Sequence, residues 1–344
     1  MIPTRSSELR RLEVASITIV IPTLGRPTKL RRLLDRLDRQ DAEPDAFELI
    51  VVADAKEREP EALDEILKQR PYRVSRLSGP RPGASAARNV GWREARTDLI
   101  LFLDDDVLPE GSLISEHLAW HARYPEAETG VLGHVRWADE LRVTPFMRWL
   151  EQGIQFDYPR IEGTDAGWGR FYTANASVKR EMLEWTRGFE EETLPFGYED
   201  LDLALRMRAF GFRLLYNRAA VAEHLHQMDL DFWKSRVRRI ASSERQFVTM
   251  HPEVSPYFFH LFNEAVGGKR ARGRGRYLAL RIPPRFPWLG PRVWSSVDTY
   301  YRQALAPHFL EAWEARASEG AAQGPGEGEA SRRSSSGSSP GGPK

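Results

Sequence analysis

The sequence predicts an α/β protein, a three-layer α/β/α sandwich with a mainly parallel central sheet, followed by a helical C-terminal extension. Apolar, β-branched runs alternate four times with helix-like segments up to Pro109, and the connections between them are short. The run Leu99–Leu103 contains no polar residue, which is typical of a strand buried on both faces of a parallel sheet. Polar side chains follow the ends of these runs, at the carboxyl edge where open α/β sheets bind ligands.

The elements follow in chain order. Strands are predicted at residues 16–22, 47–53, 72–77 and 99–103 from their β-branched or apolar runs. The helices after them begin at Pro27, Pro60, Ala84 and Glu110, and the first has leucines at helical spacing, Leu30, Leu33, Leu34 and Leu37. The second half alternates less regularly, with strands at 130–138, 171–178, 212–216 and 219–226 and helices at 145–152, 199–208, 229–250 and 293–317. Pro307 is expected to kink or break the last helix.

The composition limits the class of protein. The 344 residues are 41% hydrophobic and 29% charged with a net charge of +1, as in a soluble globular chain, so an electrostatic partner has to be sought in local patches. The absence of cysteine excludes disulfides, thiol catalysis and Cys-ligated zinc, and it fits a reducing compartment. No apolar run approaches the ~18 residues of a membrane span, and the N-terminus lacks the apolar core of a secretory signal. We therefore expect a cytoplasmic protein.

Three consecutive carboxylates, Asp104, Asp105 and Asp106, follow the most apolar strand. Adjacent carboxylates repel one another, and a bound divalent cation relieves that repulsion. An N-cap for the following helix is the alternative explanation, but a cap requires a single Asp. The triplet therefore predicts a metal site at the carboxyl edge of the sheet.

Two further groups of residues suit a catalytic site. Glu199 and Asp200 precede a leucine-rich helix, and a helix N-terminus stabilises an ionised carboxylate, as a general base requires. A helix-terminal acid with no other role is the alternative. His224 and His226 alternate along a strand and share one face, where they suit a metal, although an isolated pair of this kind is more often an ordinary polar pair.

Taken together, six segments resemble the family 2 glycosyltransferases, which have the GT-A fold. The segments are Val20–Thr23, Val51–Asp54, Ala87–Gly91, Phe102–Asp106, Ala174–Val178 and Gly197–Leu203, and their order and approximate spacing match over residues 16–226. The resemblance implies an inverting enzyme that moves a sugar from a nucleotide-diphosphate sugar, a UDP-sugar being favoured, to an acceptor hydroxyl of unknown identity. It also implies a divalent metal cofactor, Mn²⁺ or Mg²⁺.

The resemblance also implies roles for individual residues. The donor would be bound by Pro22, Thr23, Asp54, Arg88, Asn89, Asp104 and Asp105. Asp104 and Asp106 would hold the metal as the family's DxD element, with His224 as a further ligand and His226 as its competitor. Asp200 would be the general base beside Glu199, and Trp168 and Asn175 would lie on the acceptor side. Ala53 and Asp54 stand where the family usually has paired acids, which leaves recognition of the base to one carboxylate.

The sequence also predicts the domain organisation. A flexible lead-in (1–15) precedes a catalytic domain (16–228), which has a nucleotide-sugar half (16–110) and an acceptor half (111–228). A helical, Arg-rich extension (229–317) and a disordered tail rich in Gly, Ser and Pro (318–344) follow.

The extension contains a basic segment without acids, around 269–285. A solvated loop is the favoured explanation, and peripheral contact with the inner face of the membrane is the alternative. The segment is too short and too poor in aromatics for an RNA-binding module, so no nucleic-acid partner is expected.

Two other functions compete with glycosyl transfer. A sugar-phosphate nucleotidyltransferase also uses a doubly wound sheet and metal-binding acids, but it would carry a Gly-rich basic loop directly after the first strand. This chain has Pro22-Thr-Leu-Gly-Arg26 there. A non-catalytic binding protein on the same fold would have no need of Asp106 and Asp200.

Overall fold

The computed structural model of this chain describes residues 16–194, 197–267 and 291–322. The predictions for the lead-in, for the basic segment 269–285 and for residues 323–344 lie outside the described residues.

The described residues form eight strands: β1 (Ile17–Thr23), β2 (Phe47–Ala53), β3 (Arg73–Ser78), β4 (Leu99–Leu103), β5 (Val107–Pro109), β6 (Thr129–Trp137), β7 (Asn175–Lys179) and β8 (Arg213–His224). The strands join into one sheet in the order β3-β2-β1-β4-β7-β6-β8-β5.

The helices of the described ranges are α1 (Pro27–Leu37), α2 (Pro60–Leu67), α3 (Ala84–Glu94), α4 (Leu113–Arg123), α5 (Pro145–Leu150), α6 (Arg180–Thr186), α7 (Glu199–Arg208), α8 (Leu230–Met250), α9 (Tyr257–Gly267) and α10 (Pro291–Ala322). Single 3₁₀ turns lie at Tyr158–Arg160 and Trp168–Arg170.

The first half of the sheet is parallel and aligns the ends of its strands. β1 pairs with β2 and β4, and β2 pairs with β3. Thr23 lies beside Ala53, and Val20 beside Phe102, so the residues after β1, β2 and β4 leave the sheet at one edge. Helix α3 packs closely on β1 at Gly91, where an added Cβ atom would lie 2.3 Å from a methyl group of Val20. A larger residue there would push away the helix that borders this edge.

The second half of the sheet is mixed. β7 runs antiparallel between β4 and β6, with Leu103 opposite Asn175. β6 and β8 are parallel, and β5 runs antiparallel to β8 at the end of the sheet. The predicted α/β sandwich is confirmed, and its parallel part is the half that follows the regular alternation of the sequence. The β5–β8 pairing places His224 beside Val107 and therefore next to the acidic triplet.

Some element boundaries differ from the prediction. The helix expected from Glu110 begins at Leu113, because Val107–Pro109 pairs with β8 as the last strand of the sheet, a position that tolerates proline. The strands expected at 212–216 and 219–226 are the single strand β8, whose pairing with β6 is irregular at Gly133 and His134. The strand expected at 171–178 begins only at Asn175.

The C-terminal helix α10 continues through Pro307 and does not break there. Leu305, Ala306 and Phe309 around the proline are fully buried, so packing outweighs the hydrogen bond that proline removes. The helix also includes residues 318–322, which the sequence assigns to the disordered tail. Helix α9 has no counterpart in the sequence prediction.

Two hydrophobic cores hold the described residues together. The first surrounds the parallel half of the sheet. The second is built mainly by α5, α8, α9 and α10, and it also takes in Trp137, Leu194 and Tyr198 from the predicted catalytic domain. The helical extension is therefore packed against the part of the chain that carries the predicted site. Within the described ranges, no helix combines the length and apolar character needed to cross a membrane.

Candidate functional site

The carboxyl edge of the sheet gathers the predicted donor-binding residues. The hydroxyl of Thr23 donates a 2.8 Å hydrogen bond to Oδ2 of Asp105. The backbone N–H of Asp54 donates to the carbonyl of Thr23 at 2.9 Å. The Asp54 carboxylate accepts from the N–H groups of Lys56 (2.8 Å) and Gly83 (2.7 Å), so it ties the end of β2 to the loop before α3. Both side chains therefore lie at the carboxyl edge, where each makes hydrogen bonds to neighbouring segments.

The three aspartates have different partners. Asp104 is partly exposed and pairs with Arg88 at 2.9 Å. Asp105 is buried against Thr23, and Asp106 is buried beside two histidines. Asp104 therefore stays apart from the groups around Asp106 in this structure.

Asp106, His224 and His226 form a group with the chemistry of a metal site. One ligand atom from each residue lies within 4.8 Å of the other two. Nε2 of His224 is 3.6 Å from one carboxylate oxygen of Asp106, and Nδ1 of His226 is 3.4 Å from the other. Nδ1 of His224 is buried and has no hydrogen-bond partner among the described residues. One carboxylate and two imidazoles suit a transition metal such as Mn²⁺ better than Mg²⁺, which prefers oxygen ligands.

Two cations at the N-terminal end of α1, its N-cap Arg26 and Lys29 in its first turn, face the same carboxylates. Nη1 of Arg26 lies 2.9 Å from Asp105 and 3.0 Å from Asp106, and Nζ of Lys29 lies 3.1 Å from Asp106. Burial raises the pKa of Asp105 to about 6, although Arg26 opposes the shift. Burial would also raise the pKa of Asp106, but the adjacent His224 and His226 and the charge of Arg26 hold it below its usual range.

Arg88 joins the two acidic centres that the sequence places about a hundred residues apart. The side chain is buried, and it donates to Asp104 at 2.9 Å and to Oε1 of Glu199 at 3.2 Å. Oε2 of Glu199 is buried and has no hydrogen-bond partner among the described residues. The acidic triplet and the start of α7 therefore line one site.

Asp200 lies beside Glu199 in the first turn of α7 and accepts the backbone N–H of Leu201 at 2.9 Å. Burial and the neighbouring charge of Glu199 raise the pKa of Asp200 to about 7, and Arg88 opposes the shift. A carboxylate with this pKa is matched to proton transfer near neutral pH. Helix α8 contributes a cation to the same region. Burial and the charge of Arg239 lower the pKa of Arg236, and the charges of Glu199, Asp104 and Asp106 oppose that effect.

Asn89 is predicted as a donor contact, but in the structure its side chain is bonded to the segment after α6. Its side chain is buried, and its NH₂ group donates to the carbonyl of Phe189 at 2.8 Å and to Glu191 at 2.7 Å. Its oxygen accepts from the indole of Trp92 and from the N–H of Phe189, both at 2.9 Å. The hydrogen-bonding groups of Asn89 thus anchor the segment after α6, and we correct its role from donor contact to support.

Asn175, predicted on the acceptor side, is fully buried inside the sheet. Its NH₂ group donates to the carbonyl of Ala220 at 3.0 Å, and its oxygen lies 3.0 Å from Nε2 of His117. Nδ1 of His117 is bonded in turn to Ser177 at 2.8 Å, and burial lowers the pKa of this histidine to about 4. Asn175 therefore joins β7 to α4 and β8, and this geometry leaves it no contact with an acceptor.

Trp168 and Pro22 stay accessible at the site. Trp168 is half-buried between the two cores, in the 3₁₀ turn that packs against α7, so it borders the helix that carries Asp200. Tyr172 stands nearby, and the charge of Asp200 contributes to its raised pKa after the larger effect of burial. Pro22 is half-buried at the end of β1.

Two residues at the site, Arg26 and Lys29, have no role in the sequence analysis, and a third, His226, appears there only as the competitor of His224. Arg26 and Lys29 follow β1 as basic residues at the carboxyl edge, which is the signal that could have identified them. His226 competes with His224 in the sequence, and the structure brings both rings to Asp106.

The sequence profile described as glycosyl transferase family 2 matches residues 18–185. A validoxylamine A glucosyltransferase from Streptomyces hygroscopicus subsp. limoneus is 26% identical over 302 residues, covering 77% of this chain and 63% of that protein. The O-antigen biosynthesis protein RfbC from Myxococcus xanthus is 27% identical over 328 residues, covering 87% of this chain and 24% of that protein. The chain thus spans less than two thirds of the length of these relatives.

Two solved structures share the fold. A mannosyltransferase from Pyrobaculum calidifontis, in complex with GDP-Man and Mn²⁺, superimposes with a TM-score of 0.51 at 18% identity and covers 90% of this chain and 75% of that one. Residues 1–349 of TarS from S. aureus, in complex with UDP, superimpose with a TM-score of 0.50 at 14% identity and cover 88% of this chain and 92% of that one. At such identities the likeness concerns the fold.

Proposed function

We propose that this chain, whose residues 18–185 match the glycosyl transferase family 2 profile, moves a sugar from a nucleotide-diphosphate sugar to an acceptor hydroxyl, with inversion at the anomeric carbon. The observation that carries the proposal is the bridge made by Arg88 between Asp104 and Glu199. The bridge joins the acidic triplet, whose Asp106 belongs to the group suited to a metal, to the first turn of α7, which carries Asp200. Both groups then border one site, as transfer from a sugar diphosphate requires.

The donor half of the site would hold the nucleotide. We assign Asp54 and Pro22 to the rim that meets the base and ribose, since both lie at the ends of parallel strands and keep some exposure. A divalent cation on Asp106, His224 and His226 would neutralise charge on the diphosphate as it leaves. Mn²⁺ is our first choice because of the two imidazoles, and it accompanies GDP-Man in the mannosyltransferase neighbour.

Asp200 would act as the general base. In the transfer step the acceptor oxygen attacks the anomeric carbon and gives its proton to the Asp200 carboxylate. The new C–O bond forms as the bond to the diphosphate breaks, and that electron pair leaves with the diphosphate. The raised pKa of Asp200 supports this role. Glu199, held by Arg88, would keep the first turn of α7 in place.

The acceptor would enter between the 3₁₀ turn at Trp168 and helix α7. Half-buried aromatic rings, Phe156, Trp168 and Tyr172, pack in this region. Such rings suit a ring-shaped polar acceptor, which can stack its C–H face on them. The name of one relative specifies validoxylamine A and that of the other O-antigen biosynthesis, so the acceptor of this chain has to be identified by experiment.

The first test is direct binding of UDP, GDP, UDP-glucose and GDP-mannose to the full chain by calorimetry, with and without Mn²⁺. We expect one nucleotide class to bind only when Mn²⁺ is present. Binding must be followed by release of the nucleoside diphosphate when acceptors are added. Formation of a nucleotide sugar from a sugar phosphate and a nucleoside triphosphate would instead identify a nucleotidyltransferase. Metal-independent binding without turnover would indicate a binding protein.

A further inference from the structure

We propose that Arg26 and Lys29 exchange partners when the ligands bind. In the ligand-free protein they neutralise Asp105 and Asp106. Once a divalent cation binds Asp106, they contact the diphosphate of the donor instead. The diphosphate step rests on the proposed function, whereas the competition with the metal does not. Both residues would thus regulate access of the metal and recognise the donor.

The geometry shows the competition. Oδ2 of Asp106 contacts Nη1 of Arg26 at 3.0 Å and Nζ of Lys29 at 3.1 Å, and it is also the oxygen nearest His226. Arg26 is the N-cap of α1 and Lys29 lies in its first turn, so both side chains start from the N-terminal end of that helix. Two cations therefore meet at an oxygen that the metal group would use.

The charges explain why the cations lie there. The side chains of Asp105 and Asp106 are each only 5% exposed, and two buried neighbouring carboxylates require positive charge nearby. Arg26 and Lys29 together supply two positive charges, the same charge as one divalent cation. Without metal, the carboxylates are thus already neutralised.

A metal on Asp106 would disturb this arrangement. A transition metal lies about 2.1 Å from a ligating oxygen, so a cation on Oδ2 would stand within roughly 5 Å of both nitrogens. Like charges at that distance in a poorly solvated site repel strongly. Arg26 and Lys29 must therefore move away as the metal enters, or the metal binds weakly.

Both side chains can move away from the carboxylates. Arg26 is 44% exposed and Lys29 29% exposed, so their charged ends can swing into solvent without repacking the core. A donor diphosphate that contacts a metal on Asp106 has to lie at this same edge. Its negative charge would give both cations a new partner, and guanidinium and ammonium groups both bind phosphate oxygens well.

The first experiment measures Mn²⁺ binding to the full chain without nucleotide, by electron paramagnetic resonance. Lys29→Met and Arg26→Gln should each lower the Kd for Mn²⁺, by about threefold to tenfold, because a competing charge is gone. Arg31→Met is the matched control, since Arg31 is an exposed cation of the same helix whose charge acts on Glu65. Its Kd should equal that of the unaltered chain.

The second experiment measures UDP and GDP binding at saturating Mn²⁺ by calorimetry. Here the same two variants should raise the Kd for whichever diphosphate binds, again by about tenfold, because the phosphate contact is lost. Their affinity for the corresponding nucleoside, uridine or guanosine, should not change. The two substitutions should therefore lower the Kd for Mn²⁺ and raise the Kd for the diphosphate.

Two results would overturn the inference. One is a Kd for Mn²⁺ that is unchanged or higher in Lys29→Met and Arg26→Gln, since the cations would then not compete with the metal. The other is unchanged binding of a diphosphate that the unaltered chain binds. If no nucleotide binds to any variant, the proposed function fails by itself, and the Mn²⁺ titration still decides whether the cations compete.

Discussion

The hydroxyl of Tyr198 donates a hydrogen bond to Oε1 of Glu244, and this bond joins the start of α7 to helix α8 of the C-terminal extension. Tyr198 directly precedes Glu199 and has a φ of +88°, which is a strained backbone conformation for an aromatic residue. Glu244 is fully buried and also accepts the N–H groups of Phe258 and Phe259 at the start of α9, both at 2.8 Å. The extension thus holds the N-cap of the helix whose first turn carries the proposed base.

This bond makes Tyr198 a positioning residue. In Tyr198→Phe, kcat should fall about tenfold because Asp200 is less well oriented, while the Kd for the donor with Mn²⁺ stays constant. The acid limb of the pH–rate profile should also move, which a loss of stability alone would not cause. Tyr300→Phe, which alters a half-buried tyrosine of α10, is the control. An unmoved pH profile and an unchanged kcat would show that the bond only supports the fold.

Replacing the proposed base should separate catalysis from binding. Asp200→Asn should lower kcat by about a thousandfold, because the neutral amide cannot accept the proton of the acceptor. The Kd for the donor should change little. Asp231→Asn removes an exposed acid from the first turn of α8 and should leave both quantities unchanged. A fully active Asp200→Asn enzyme would refute the assignment.

The raised pKa of Asp200 predicts opposite effects of pH on rate and on stability. The rate should rise with pH through about 7, where the carboxyl group loses its proton. An aspartate whose pKa is higher in the folded than in the unfolded state stabilises the fold below pH ~4, and this contribution is lost as the pH rises through the folded value. Asp200→Asn should therefore raise the midpoint of thermal unfolding at pH 8 more than at pH 4. An equal change at both pH values would contradict this prediction.

Removing either histidine should weaken the metal site. In His224→Ala or His226→Ala, we expect the Kd for Mn²⁺ to rise about tenfold to a hundredfold, since one of three ligands is lost. His260→Ala, on the exposed side of α9, provides the control in an electron paramagnetic resonance titration. If only one variant binds Mn²⁺ less tightly, the other histidine is not a ligand.

Asn175 should matter for stability and not for acceptor recognition. Asn175→Ala leaves Nε2 of His117 and the carbonyl of Ala220 without a partner inside the sheet. The free energy of unfolding should fall by about 2–4 kcal/mol. Denaturant unfolding measures this loss, and the KM for the acceptor should remain that of the unaltered enzyme. A raised KM at unchanged stability would restore the predicted acceptor role.

The sequence by itself determined the parallel half of the sheet and the chemistry at its edge. Apolar runs such as Leu99–Leu103 can be satisfied only by burial on both faces, and carboxyl ends of parallel strands meet at one edge. For that reason the sequence alone places Thr23, Asp54 and the triplet together. The same local rules were less informative for β7 and α10, where tertiary packing decides the strand's start and the helix's passage through Pro307.

Only the tertiary structure decided the partner of each polar side chain. A run of three aspartates does not indicate which one contacts Arg88 and which one contacts the histidines. These contacts depend on helices and strands that are far apart in the chain. Asn89 and Asn175 look like site residues in the sequence, yet they are buried and bonded to distant backbone groups. Buried polar groups must find partners wherever the fold provides them, so their roles follow from packing and not from spacing.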